Sequence, residues 1–206
     1  MRIKVWITTI TMLSLLIGAG TVCAKGLDPM ATVKVKIDQV IAVLNDPQYN
    51  APAKRDEQRK KIWEIASPLF DFPEISRRTV GPNWSRFSTE QKEHFVQVFT
   101  KLLGTIYIDR IQGEYHNEKI VYAKELVRSP YALVRTKLVR PNGSIPIDYR
   151  MKLENSQWKV YDILVESGVS IVQNYRVQFQ SILQKESPNQ LISRLENKLK
   201  EQKSSL

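Results

Sequence analysis

The chain has 206 residues, with 31 Lys and Arg against 21 Asp and Glu, a formal net charge of +10. Hydrophobic residues at 42% and charged residues at 25% suit one globular domain with a sizeable core, and Gly and Pro are too sparse for a collagen-like or low-complexity chain. One Cys and two His exclude a disulfide framework and any multi-cysteine or histidine-rich metal site, while the basic balance permits an anionic partner without naming one.

Residues 1–24 read as an export signal. Met1-Arg2-Ile3-Lys4 is a basic start, Val5 to Ala24 carries no charge, and Gly18-Ala19-Gly20 breaks the apolar run before Val22-Cys23-Ala24. That is the three-part grammar of a cleaved secretory signal peptide. A membrane anchor is the competing reading, since about 20 uncharged residues can span a bilayer. The Gly-broken run and its small-residue ending favour cleavage. Residues 25–206 are then expected as a single exported domain, and Cys23, the only thiol, leaves with the signal.

Asp28-Pro29 has the chemistry of an N-cap and first helical residue, and Val33, Ile37, Val40, Ile41 and Leu44 follow at helical spacing. Asn45-Asp46-Pro47 stops that helix. Lys54 to Ala66 reads as a second, with a very polar first half. Asp71 opens a short third helix to Val80, which Gly81-Pro82 ends. Ser88-Thr89-Glu90-Gln91 is a capping box, and it starts the longest helix, to about Gly113. From Glu118 the period changes to two. Four strands are expected over residues 119–127, 131–140, 145–154 and 157–166, joined by Ser129-Pro130, Pro141-Asn142-Gly143 and Asn155-Ser156. In the third, Ile145, Ile147, Tyr149, Met151 and Leu153 face one way. The helical period returns from Val169 to Leu183, and Ser187-Pro188 opens a last helix with Leu191, Leu195 and Leu199. Helices, then strands, then helices predict an α+β fold: a four-stranded antiparallel sheet curved around helices into a cone, with helices at both termini.

Catalytic motifs are missing. The sequence holds no G-x-S-x-G elbow, no H-E-x-x-H, no phosphate-binding loop and no dinucleotide fingerprint. The one acid–base candidate is Asp162, in Trp158-Lys159-Val160-Tyr161-Asp162-Ile163, with Tyr149 as a possible oxyanion donor. The competing role for Asp162 is a structural bond to backbone or an Arg. Lys54-Arg55, Arg59-Lys60-Lys61 and Arg77-Arg78 are interleaved with acids and lack the aromatic pattern of a nucleic-acid site. The Lys54–Lys61 cluster is expected instead as a basic surface that meets acidic partners or anionic headgroups.

Large apolar residues on helices and strands suggest a lined pocket. Leu103 and Tyr107 share a face of the long helix, Tyr149 and Met151 share a strand face, and Val172 and Phe179 lie two turns apart on the helix after the sheet. If the three faces converge, they enclose an apolar ligand.

Several short motifs, in order, carry a family resemblance. They are Phe70-Asp71-Phe72, Ile75-Ser76-Arg77-Arg78, Gly81-Pro82-Asn83-Trp84, then Gln91 with Phe95 and Phe99, and Leu102-Leu103 followed by Tyr107. Ile147-Asp148-Tyr149, the Trp158–Ile163 run, Val165-Glu166-Ser167-Gly168-Val169-Ser170, and Asn174-Tyr175-Arg176 with Phe179 complete the set. From Asp28 to Leu199 the chain resembles the MlaC family, also called the toluene-tolerance family. The resemblance implies a monomeric periplasmic phospholipid carrier, with no cofactor and no enzymatic activity. Such a carrier shuttles lipid between the MlaD-type ring of an inner-membrane ABC transporter and an outer-membrane MlaA–porin complex, which maintains lipid asymmetry of the outer membrane. It also implies a ketosteroid-isomerase-like cone whose deep apolar cavity, between sheet and helices, holds acyl chains. The residues expected to line it are Phe70, Phe72, Phe99, Leu103, Tyr107, Ile147, Tyr149, Met151, Val169, Val172, Tyr175 and Phe179. The rival readings are an enzyme on the same cone with Asp162 as base, and a periplasmic adaptor that binds only protein.

Overall fold

A computed structural model describes residues 28–166 and 168–204; the expected signal peptide, with Cys23, lies outside the described residues. Helix α1 (Pro29–Leu44) starts where the Asp28 carboxylate accepts the Ala31 N–H at 2.6 Å. Two single 3₁₀ turns lead into α2 (Arg55–Ala66). Asp71 accepts the Glu74 N–H at 2.9 Å and opens α3 (Phe72–Val80). Helix α3 ends at Gly81, whose φ of 62° would strain any other residue, and a Cβ there would press the Arg176 guanidinium at 2.9 Å. The capping box is complete. Ser88 and Gln91 each bond the other's backbone N–H, at 3.2 and 2.9 Å, and α4 (Thr89–Glu114) follows. After the sheet come α5 (Ile171–Leu183) and α6 (Pro188–Ser204). None of the described helices is long and apolar enough to cross a membrane.

The strands are β1 (Lys119–Arg128), β2 (Tyr131–Arg140), β3 (Gly143–Glu154), β4 (Gln157–Val165) and β5 (Val169–Ser170), antiparallel in the order β1-β2-β3-β4-β5. This corrects the expected four-stranded, ketosteroid-isomerase-like cone. The sheet has five strands, it is flanked by helices, and it is open, with β1 and β5 as separate edges. The chain reverses after β4 through Glu166 (φ 47°) and Gly168 (φ 110°), so Val169 falls opposite Val165 and Ser170 opposite Leu164. A strand of two residues is too short to display a period of two. Ser170 then doubles as the N-cap of α5, its hydroxyl accepting the Gln173 N–H at 2.9 Å. The expected helix start at Val169 therefore moves to Ile171.

Two bulges set which way the strands face. Pairing skips Ala123 in β1 and Tyr161 in β4, so each strand reverses its alternation there. The inward rows run Tyr122–Thr136–Ile147–Val165, Glu125–Val134–Tyr149–Ile163 and Val127–Ala132–Met151–Val160. Helix α1 lies on β1 and β2. It is held there by Met30 N–H donating to Glu125 at 2.9 Å and by Tyr122 O–H donating to Asp38 at 2.8 Å. Helix α4 packs on α2, α3 and α6, whereas α3 and α5 reach β4.

The interior divides accordingly. A helical cluster joins α3, α4, α5 and α6 through Phe95, Phe99, Leu103, Val172, Phe179 and Leu191. A sheet cluster joins Val33 of α1 and Leu69 to Ala132, Val134, Met151 and Val160.

Candidate functional site

The site is built where the two clusters meet. Phe70 packs against both. Its backbone lies beside the edge of β4 in a short parallel bridge to Val160, and the next N–H, of Asp71, donates to the Val160 carbonyl at 2.9 Å. The ring of Phe70 stands 5.7 Å from Phe72, and Phe72 stands 5.5 Å from Trp63 of α2. Trp63 in turn lies against α4, so close that a Cβ on Gly104 would sit 2.6 Å from its ring. An aromatic chain thus links the long helix to the sheet edge. Gly104 is the residue that permits the approach.

On the helical side, α4 and α5 converge. Phe99 is fully buried, with ring centroids 5.0 Å from Tyr175, 5.3 Å from Phe179 and 5.5 Å from Phe95. Those separations are contact distances for edge and stacked pairs. Leu103 and Val172 are buried in the same cluster, and Tyr107 is half-buried against it. On the sheet side, Met151 is fully buried, and Tyr149 lies beside it in the sheet cluster. Ile147 is half-buried on the same inward side. Of the three faces expected to converge, those of α4 and α5 do so, and that of β3 belongs to the other layer. Val169 stands apart, 56% exposed on β5.

Tyrosine hydroxyls line this interior beside the buried hydroxyls of Ser76, Thr79 and Thr136. Burial pushes Tyr149 up to about 12, against a hydrogen bond from Thr136 that acts the other way. Burial also raises Tyr175 to about 12, with Tyr107 adding to the shift and Arg110 opposing it. Tyr107 is raised by burial, again against Arg110. These groups stay neutral at any physiological pH, so the lining is uncharged.

Asp162 is committed elsewhere. It is 4% exposed, and its carboxylate accepts from Ser170 Oγ at 2.7 Å, from Arg150 Nη1 at 3.1 Å and from the Val172 N–H at 3.1 Å. These bonds anchor the start of α5 to β4. Asp162 pairs with Arg150 while Tyr149 pairs with Ile163, so the carboxylate and the tyrosine lie on opposite sides of the sheet and cannot act on one substrate. No cluster of His, Cys, Asp and Glu among the described residues could hold a metal.

The expected basic surface on α2 is also altered. Arg59 turns inward to Asp109 of α4, with Nη2 at 2.6 Å from Oδ1 and both side chains 19% exposed, and Lys54 pairs with Glu57 at 2.6 Å. Sequence reading places Arg59 on a polar face, and only the packing of α4 against that face buries it. Residues beyond those expected also shape the site. Thr136, Val134 and Val160 form the inward wall with Val33 of α1. Alternation in Ala132-Leu133-Val134-Arg135-Thr136 was the signal for two of them; the bulge at Tyr161 hid the third.

The fold has a counterpart among solved structures, and the sequence matches a family model. The family model described as MlaC protein matches residues 34–197. A solved phospholipid-binding protein from Ralstonia solanacearum, determined in complex with a phospholipid, aligns with a TM-score of 0.73 at 24% identity. The alignment covers 85% of this chain and 99% of that one. No curated protein matches the sequence.

Proposed function

The chain belongs to the MlaC family, and from that premise we propose that it carries phospholipid through the bacterial periplasm, binding the acyl chains along the seam between its two apolar clusters. The observation that carries the reading is the divided interior, in which Phe70 packs against both clusters, with Leu103 and Tyr107 on the helical side and Tyr149 on the sheet side. The solved relative with the same fold holds a phospholipid. A seam between two packed layers can part without unfolding either layer. A single continuous core cannot.

The energetics suit a carrier. Two acyl chains of about 15 methylenes each lose roughly 24 kcal/mol on entering water, at about 0.8 kcal/mol per methylene. The protein must replace the bilayer's environment without exceeding it, since tighter binding would prevent delivery. Uncharged walls of Phe, Leu and Met with neutral tyrosines do that, and the headgroup remains in water. A carrier needs no catalytic group, and Asp162, with both oxygens engaged, supplies none.

In this reading residues 1–24 are removed on export, the protein acts as a monomer, and it exchanges lipid with an MlaD-type ring at the inner membrane and an MlaA–porin complex at the outer membrane. The family's role and the basic, Gly-broken leader support these steps. Organic extraction and mass spectrometry of the protein purified from the periplasmic fraction test the central point. Intact mass of the same sample, with Lys25 as first residue, tests the export step. Phospholipid near one molecule per chain is expected. Protein that is folded, exported and free of lipid would leave the adaptor reading.

A further inference from the structure

The outward side of the sheet mixes cations with exposed apolar side chains. Register places Lys124, Arg135 and Asp148 in one row across β1, β2 and β3, then Leu126, Leu133 and Arg150, then Arg128, Tyr131 and Lys152. On the far side of the Ala123 bulge the row is Val121, Lys137 and Pro146. The helices that meet β1 and β2 leave these side chains in solvent. Lys124, Arg128, Arg135, Lys137 and Arg150 are exposed, and so are Val121 (46%), Leu126 (43%) and Tyr131 (44%). On this side of the sheet Asp162 of β4 already holds Arg150 at 3.1 Å, and the acids of the three strands are Asp148 and Glu154. Each of these two faces a cation already, Arg135 at 3.4 Å and Lys152 at 3.6 Å. Leu126, Arg128, Tyr131, Leu133 and Arg150 frame a shallow hollow of about 370 Å³ with Tyr161.

We propose that this outward sheet face docks the protein onto an anionic phospholipid surface. The inference goes beyond cargo binding, because it concerns the side of the sheet that faces away from the acyl-chain seam. Three features select a lipid surface over an acidic protein. The cations are spread across three strands, about 7 Å apart along β2 and β3 and about 13 Å apart along β1, rather than gathered at one pocket. Exposed aliphatic side chains stand between them, which suits shallow insertion among acyl chains below a layer of phosphates. Tyr131, at the tip of the β1–β2 hairpin, is a residue type that favours the headgroup level. Cations and apolar groups together are the paired signals that hold a peripheral protein at a membrane.

Co-sedimentation with vesicles tests the proposal, using protein purified from the periplasmic fraction. The probes are pure phosphatidylcholine vesicles and vesicles in which part of it is replaced by phosphatidylglycerol. Binding is expected to rise with phosphatidylglycerol and to fall with added salt, as the screening length drops below about 8 Å. Each surface cation contributes about fivefold to partitioning. Lys124→Glu with Lys137→Glu should therefore cut it at least about twentyfold, and Leu126→Ser with Tyr131→Ser should cut it on the same vesicles without changing its salt dependence. Neutral Lys124→Ala with Lys137→Ala should give a smaller loss of the same kind. Unchanged thermal unfolding and unchanged co-purified phospholipid in these variants are expected, and they separate this face from the cargo site. Wild-type protein that stays in the supernatant with every vesicle, or a double reversal that sediments as wild type does, would overturn the proposal. Wild-type protein indifferent to phosphatidylglycerol that instead binds an acidic protein surface through Lys124 and Lys137 would overturn it in favour of a protein partner.

Discussion

Replacing Phe70 by Ala separates a seam from a solid core. Phe70 is half-buried and touches both clusters from the edge of β4, whereas Phe99 is fully buried among Phe95, Tyr175 and Phe179. Phe99→Ala should cost about 3–5 kcal/mol, the usual loss for a buried ring, because its three ring neighbours cannot all collapse into the space. Phe70→Ala removes a ring already partly in water, so about 1–2 kcal/mol is expected. The order reverses for lipid. A ring that lies along an acyl chain contributes about 1.5–3 kcal/mol, and its loss should weaken retention roughly tenfold to a hundredfold. Urea unfolding of delipidated protein reads the first quantity without the stabilisation that bound ligand adds. With a slope of about 2 kcal/mol per molar, Phe99→Ala should shift the midpoint by about 2 M and Phe70→Ala by less than about 1 M. Extraction and mass spectrometry of freshly purified protein read the second. A Phe70→Ala variant that keeps its lipid, or that loses as much stability as Phe99→Ala, would refute the seam.

Asp162→Ala should destabilise by about 2–4 kcal/mol, because it orphans the buried Val172 N–H and the Ser170 hydroxyl, while the half-exposed Arg150 turns to water; thermal unfolding checks this, and a variant as stable as wild type would show that α5 needs no anchor there. Gly104→Ala should cost about 1–3 kcal/mol, since the new Cβ meets the Trp63 ring at 2.6 Å and must push α2 from α4; an unchanged urea midpoint would count against the close approach. Tyr149 and Tyr175 are raised by burial from 10 to about 12, so the folded state holds more protons than the unfolded state between those values, and stability should fall as pH rises through that window; Tyr149→Phe should flatten the slope of alkaline unfolding. Glu74 behaves in the opposite sense. Burial pushes its carboxyl up, but Arg77 and Arg78 outweigh burial and hold it below its ordinary 4.5, so its contribution is present above that pH and lost as pH falls through the folded value; Glu74→Gln should remove that part of the acid transition.

Features set by local chemistry are legible in the chain alone. Asp28, Asp71 and Ser88 cap the helices they were expected to cap, because an N-cap bond joins atoms three residues apart. The turns at Ser129-Pro130 and Asn155-Ser156 divide the strands where expected, because turn geometry is also local. The motifs from Phe70 to Phe179 carried the family for the same reason, since each is a short ordered string. Features that join partners far apart in the chain are not legible there. The fifth strand exists because β4 offers Val165 and Leu164 an edge to pair, and its two residues have no period of their own. The sheet stays open, with β1 and β5 as unjoined edges, and strand patterning alone cannot tell an open sheet from a cone. The bulges at Ala123 and Tyr161 decide which side each later residue faces, and so put Asp162 behind the sheet and Tyr149 before it. Arg59 left the surface only because α4 brought Asp109 to it. The division of the interior into two clusters, with Phe70 between them, is likewise a property of packing. Apolar spacing says which residues avoid water, but not which of them meet one another.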